Sequence, residues 1–177
     1  MGLAMSIAQT LNAMDEPSAR QALTNCCASS NWVEAMLSRR LFSDDAAVFA
    51  AAAEIAEALR ESDWLEAFDA HPLIGDIDSL RKKYATTKGL AAGEQAGVSG
   101  ASDATLEELA LLNRQYAERF GFIFIVFATG STAEEMLTIL KQRIGNDRDE
   151  EVKNAAAEQL KITRLRLQKL AAGAGGS

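Results

Sequence analysis

Proline stands at only two of the 177 positions, Pro17 and Pro72. Proline stops helices, because it removes an amide donor and clashes with the turn before it. With Ala, Leu and Glu abundant as well, the composition favours helices over nearly the whole chain.

The cap residues predict where those helices begin and end. Met5 to about Met14 places Ile7, Leu11 and Met14 at helical spacing. Asp15 or Glu16 opens a second helix, with Pro17 tolerated in its first turn. Asn31-x-x-Glu34 has the form of a capping box. Ser43 caps an Ala-rich helix to about Arg60, and Ser62 caps Asp63–Ala70. Asp103 caps a helix to about Phe120, with Gly121 as its left-handed end. Ser131-x-x-Glu134 opens another helix, closed by Gly145, and Asp147-x-x-Glu150 opens the last, to about Ala172. The tail, residues 173–177, has nothing to pack and is expected to be disordered.

Two stretches resist this pattern. From Pro72 to Gly100 five glycines break about 30 residues, and a long irregular stretch of that kind carries function or moves. Phe122-Ile123-Phe124-Ile125-Val126-Phe127 has the composition of a strand, but no second segment reads as its partner. It is expected to be buried, either as an extended piece or as a first helical turn.

The length suits one domain, and no shift in composition marks a boundary. A chain of this size buries roughly 70% of its unfolded surface and needs no metal or disulfide to fold. The formal charge of −7 and the pI near 4.8 argue against nucleic acid and against anionic lipid. No apolar run reaches the ~18 residues of a membrane span, and no basic region followed by an apolar core marks a secretory signal. Cys26 and Cys27 are adjacent and cannot form a framework disulfide, which points to a reducing cytoplasm. His71 is the single histidine, so a zinc ligand set is lacking. The glycine-rich loops of dinucleotide and nucleoside triphosphate binders are absent.

Three places could carry chemistry. His71 precedes Pro72, which forces it out of helical geometry and fixes it at the mouth of a turn. It is either a group titrating near neutral pH or a helix-end histidine bonded to a carbonyl. Glu94-Gln95 lies in the glycine-rich stretch. A carboxylate beside a histidine raises its pKa and orients its ring; otherwise the pair is an exposed helix start. Arg164 and Arg166 lie ~200° apart on the last helix, so one is solvated and one points inward. The inward one needs a carboxylate or a ligand oxygen.

Five ordered blocks make the chain resemble a known family. They are Ala70-His71-Pro72-Leu73-Ile74-Gly75-Asp76, Glu94-Gln95-Ala96-Gly97, and Leu112-Asn113-x-x-Tyr116-x-x-x-Phe120-Gly121-Phe122-x-Phe124. Arg143-Ile144-Gly145-Asn146 and Ile162-x-x-Leu165-Arg166-Leu167 complete the set. The family is 2-oxo-4-hydroxy-4-carboxy-5-ureidoimidazoline (OHCU) decarboxylase, of uric acid breakdown, and the resemblance runs from about residue 6 to 170.

The resemblance implies an all-α fold, a single-domain compact helical bundle over residues 1–172 with one long irregular loop. It also implies a homodimer and no cofactor. By the same resemblance His71 and Glu94 are the catalytic pair, and Pro72 and Gln95 contact the ligand. Phe124, Ile125, Val126, Phe127 and Ala128 line the ring pocket with backbone groups, and Arg166 rather than Arg164 holds substrate. The chain departs from the family at Leu73, where arginine is frequent, and at Ala91, where serine is frequent. The implied substrate has a carboxylate and a hydroxyl on C4 beside a C5=N bond. The electrons released with CO2 can flow into that bond, so the substrate is its own electron sink. Protonation on one face then gives (S)-allantoin. The competing expectation is a non-enzymatic helical module with an apolar groove and an exposed, unpartnered His71.

Overall fold

The computed structural model describes residues 5–71, 73, 78–80, 82, 102–127 and 131–175. The fold is all-α, and no strand occurs among the described residues. Contacts group the chain into two compact units, residues 1–70 with 156–177, and residues 71–155.

In the first unit, helix α1 (Ile7–Ala13) starts from a capping box. Ser6 Oγ accepts from the Gln9 amide, and the Gln9 side chain accepts from the Ser6 amide. Helix α2 (Glu16–Cys26) is capped by Asp15, with Pro17 in its first turn as expected. Helix α3 (Ser30–Ser38) is capped by Ser29. Helix α4 (Asp45–Glu57) is capped by Asp44. In helix α5 (Glu61–Asp69), Asp63 accepts from the Arg60 amide at 2.9 Å.

The box expected at Asn31 is therefore displaced. Ser29 takes the cap, and Asn31 instead donates to Asp63 at 2.6 Å. The caps expected at Ser43 and Ser62 also shift by one or two residues, because Asp44 and Asp63 accept these orphan amides.

The core of this unit is built from Leu11, Leu23, Trp32, Met36, Val48 and Leu167, all fully buried. Each such side chain contributes roughly 1.5–3 kcal/mol. Trp32 completes its burial by donating Nε1–H to the Ala52 carbonyl at 3.3 Å. Asn12 and Phe42 exchange two hydrogen bonds, at 2.8 and 2.9 Å, pinning the α3–α4 connection to α1.

In the second unit, helix α6 (Asp103–Phe120) starts from Ser102 and helix α7 (Ala133–Arg143) from Thr132. Both caps lie one residue from the expected ones. The two helices pack together, and Leu106, Leu109 and Ala110 on one and Met136, Leu137 and Leu140 on the other are buried. Gly121 ends α6 at φ +82°, a left-handed position that glycine takes without strain. Residues 123–127 then form neither helix nor strand, so the helical turn, one of the two conformations expected for this segment, does not occur. Phe122 and Ile125 are buried.

Helix α8 (Arg148–Gly175) is opened by Asp147, which accepts from the Glu150 amide at 2.8 Å. Residues to 155 belong to the second unit and the rest to the first. The helix continues to Gly175, where a disordered tail from 173 was expected. Alanines flank the glycines and no proline stops the helix.

Candidate active site

His71 follows the last turn of α5, one residue beyond its cap Ala70. It is half-buried, and it is not without a partner. Leu73 is exposed. Pro72, Glu94, Gln95 and Ala128 lie outside the described residues, as do Ala91 and most of the glycine-rich stretch.

The segment Phe124–Phe127 lies in the same unit as His71, and its geometry is defined by a network that sequence reasoning did not assign. Arg143 Nη1 donates to the Ile125 carbonyl at 2.6 Å, and Nε donates to Glu151 Oε1 at 2.8 Å. Its guanidinium lies over the Phe124 ring, 4.8 Å from the centroid. The Tyr116 hydroxyl donates to the same Glu151 oxygen at 2.5 Å. Asn146 and Asn154 both donate to Glu151 Oε2 at 2.8 Å. Glu151 thus accepts four hydrogen bonds while wholly buried. Tyr116 packs among Phe120, Phe122 and Phe124 with centroids 4.5–5.9 Å away.

Burial alone would raise the Glu151 carboxyl. The bonds from Tyr116, Asn146 and Asn154 and the charge of Arg143 outweigh it, and its pKa lies below the ordinary value. Burial, and then the bond to Glu151, push the Tyr116 phenol up. The signal that could have found this network is periodicity. Met136, Leu140 and Arg143 fall at i, i+4 and i+7, which puts an arginine on the apolar stripe of α7.

Arg166 lies on the part of α8 that belongs to the first unit. Its Nη1 donates to the Asn25 carbonyl, in the last turn of α2, at 3.2 Å. Arg164 is exposed and lies over the Phe49 ring at 4.7 Å. Arg166 is thus half-buried and Arg164 exposed, and the partner of Arg166 is a backbone carbonyl where a carboxylate or a ligand oxygen was expected. Beside Arg166 sit the buried thiols Cys26 and Cys27, both free. Burial pushes Cys26 up to about 12, against the opposing pull of Arg166.

Among the described residues no helix is long and apolar enough to cross a membrane. This all-α chain, with a histidine at a helix end and a tethered irregular segment, matches a family model described as OHCU decarboxylase over residues 12–168. The chain belongs to that family.

A uric acid degradation bifunctional protein, TTL, of Arabidopsis thaliana is 37% identical over 145 residues, covering 82% of this chain and 45% of that protein. The 2-oxo-4-hydroxy-4-carboxy-5-ureidoimidazoline decarboxylase of Amia calva is 36% identical over 98 residues, 55% of either chain. The chain thus spans about half the length of these two relatives. A crystal structure of OHCU decarboxylase in the presence of (S)-allantoin aligns with TM-score 0.70 and 34% identity, covering 90% of this chain and 99% of that one.

Proposed function

We propose that this chain decarboxylates OHCU to (S)-allantoin in uric acid breakdown, without a cofactor. The observation that carries the reading is the 34% identity to an OHCU decarboxylase structure, over 99% of that chain.

In this reading His71, backed by Glu94, hydrogen-bonds the C4 hydroxyl and the leaving carboxylate and manages a proton. Pro72 and Gln95 pack and bond the ligand. The backbone from Phe124 to Ala128 and the Arg166 guanidinium hold its urea-like edges. Those contacts fix the geometry and meet charge as it moves into the C5=N bond. His71 is not unpartnered, which disfavours the competing view of it as a bystander beside an apolar groove. The same reading takes residues 1–172 as one functional domain, working as a homodimer in a reducing cytoplasm. The two free thiols suit that compartment.

Freshly generated OHCU added to the protein should give a circular dichroism signal of (S)-allantoin, faster than the spontaneous reaction. An unaccelerated, racemic product would overturn the proposal. Sedimentation velocity at micromolar protein tests the dimer.

A further inference from the structure

We infer that Arg143 is a positioning residue for the ring-binding stretch, acting through the backbone of Ile125; the inference rests on the decarboxylase reading above. Among the described residues, no main-chain hydrogen bond joins residues 123–126 to another backbone. What holds this irregular stretch is a side chain, the Arg143 guanidinium on the Ile125 carbonyl at 2.6 Å.

The peptide unit is planar. Fixing the Ile125 carbonyl therefore fixes the plane it shares with the Val126 amide. In a trans peptide that N–H points opposite to the carbonyl, away from Arg143. One face of the stretch is tied, and the other presents an oriented donor to a ligand oxygen.

The guanidinium has little freedom of its own. Nε is held by Glu151 at 2.8 Å, and the plane lies over Phe124. Glu151 is saturated by Tyr116, Asn146 and Asn154. A buried pair of this kind is weak evidence for stability, because apolar residues of similar volume serve as well. What it supplies is a fixed direction for one carbonyl. Lysine could keep the charge opposite Glu151, but its single nitrogen lacks the fork that reaches two acceptors at once.

The test compares Arg143→Lys with Leu106→Val, a core substitution on α6 chosen to lower the melting temperature without touching the network. With OHCU as substrate, Arg143→Lys should raise KM about 10-fold, the loss of one oriented hydrogen bond, with kcat changed less than KM. Amide exchange across residues 123–127 should quicken by about the same factor. Leu106→Val should leave both near parental values. Should Arg143→Lys not fold, the pair Arg143→Met with Glu151→Leu removes the donor while replacing the charges by apolar groups, and the same KM rise is expected.

A folded Arg143→Lys protein with parental KM and parental exchange overturns the inference. So does a Leu106→Val protein with the same KM rise. A parent protein that does not turn over OHCU overturns the proposed activity instead, and the exchange comparison still decides whether Arg143 holds the stretch.

Discussion

Arg166 donates to the carbonyl of Asn25 at 3.2 Å, in the last turn of α2. A cation there meets the negative end of the helix dipole, so the guanidinium is held by backbone with no carboxylate needed. Among the described residues, no ion pair engages its remaining donors, as one would in neutralising a ligand-binding arginine. Arg166→Ala should raise KM by about 10–150-fold, since a hydrogen bond to a charged group is worth ~1.5–3 kcal/mol. Arg164→Ala, which removes an exposed contact with Phe49, should change KM by only a small factor. Equal losses in the two variants, read from steady-state kinetics, would reject the assignment of Arg166.

For His71, replacement by Asn should lower turnover by roughly 10²–10⁴, the usual contribution of a positioned proton-transfer group. The fold should survive, because the residue is half-buried at a helix end and outside the core. A folded His71→Asn protein with parental turnover would remove it from the mechanism.

Substitution of Glu151 should act on stability. Glu151→Leu leaves Arg143 buried without its carboxylate, at a cost of about 3–5 kcal/mol. At roughly 2–4 °C per kcal/mol for a chain of this size, the melting temperature should fall by about 6–20 °C. Adding Arg143→Met should recover much of that loss, and calorimetry of the single and double variants measures the coupling.

The same carboxyl predicts an acid limb. Its pKa is lowered by folding. The folded state therefore binds the proton less readily than the unfolded one. The resulting stability is present above the ordinary glutamate pKa and is lost as pH falls through the lower, folded value. Urea midpoints taken from pH 7 down to pH 3 should fall on the acid side. The Glu151→Gln protein should show a shallower fall, and parallel curves for the two proteins would assign the acid sensitivity elsewhere.

The thiols offer a further check. Cys26 is buried and pushed up to about 12, and thiolate is the reactive form. Iodoacetamide at pH 8 should modify the native protein only as fast as it opens, and at least tenfold faster in denaturing urea. Rapid native labelling would contradict the burial of this pair.

Most helices were legible in the sequence because their caps and apolar spacing agree, as in α2 with Asp15 and Pro17. Where two polar residues compete for one orphan amide, as at Ser43 and Asp44, spacing alone does not choose between them. Helix α8 hides its buried side more thoroughly. Glu151, Ala155, Gln159, Thr163 and Leu167 are all buried at strict four-residue intervals, and only one of them is a large apolar residue. Three are polar, so hydrophobic periodicity does not reveal them. Gln159 donates to Thr163 at 3.2 Å, and Glu151 is satisfied by Tyr116, Arg143 and Asn146 from outside the helix and by Asn154 within it. The Gln159–Thr163 pair is local, one helical turn apart, but the bonds from Tyr116 and Arg143 are three-dimensional facts with no local signature. The same holds for Arg143, whose motif was visible while its role was not.

The way residues 122–127 are held has a consequence for how this protein can diverge. A strand inside a sheet is constrained along its whole length, and a slip in register turns every side chain to the other face. Here one guanidinium, anchored on a separate helix, sets the path, and burial constrains Phe122 and Ile125 while the intervening positions stay half-buried. On the decarboxylase reading, the half-buried residues at 123 and 126 can therefore be exchanged to reshape what a ligand meets, while Phe124, which lies under the Arg143 guanidinium, belongs to the tether. Tailoring of selectivity and preservation of the scaffold are assigned to different residues, and a mutational library restricted to those two positions would sample the first without disturbing the second.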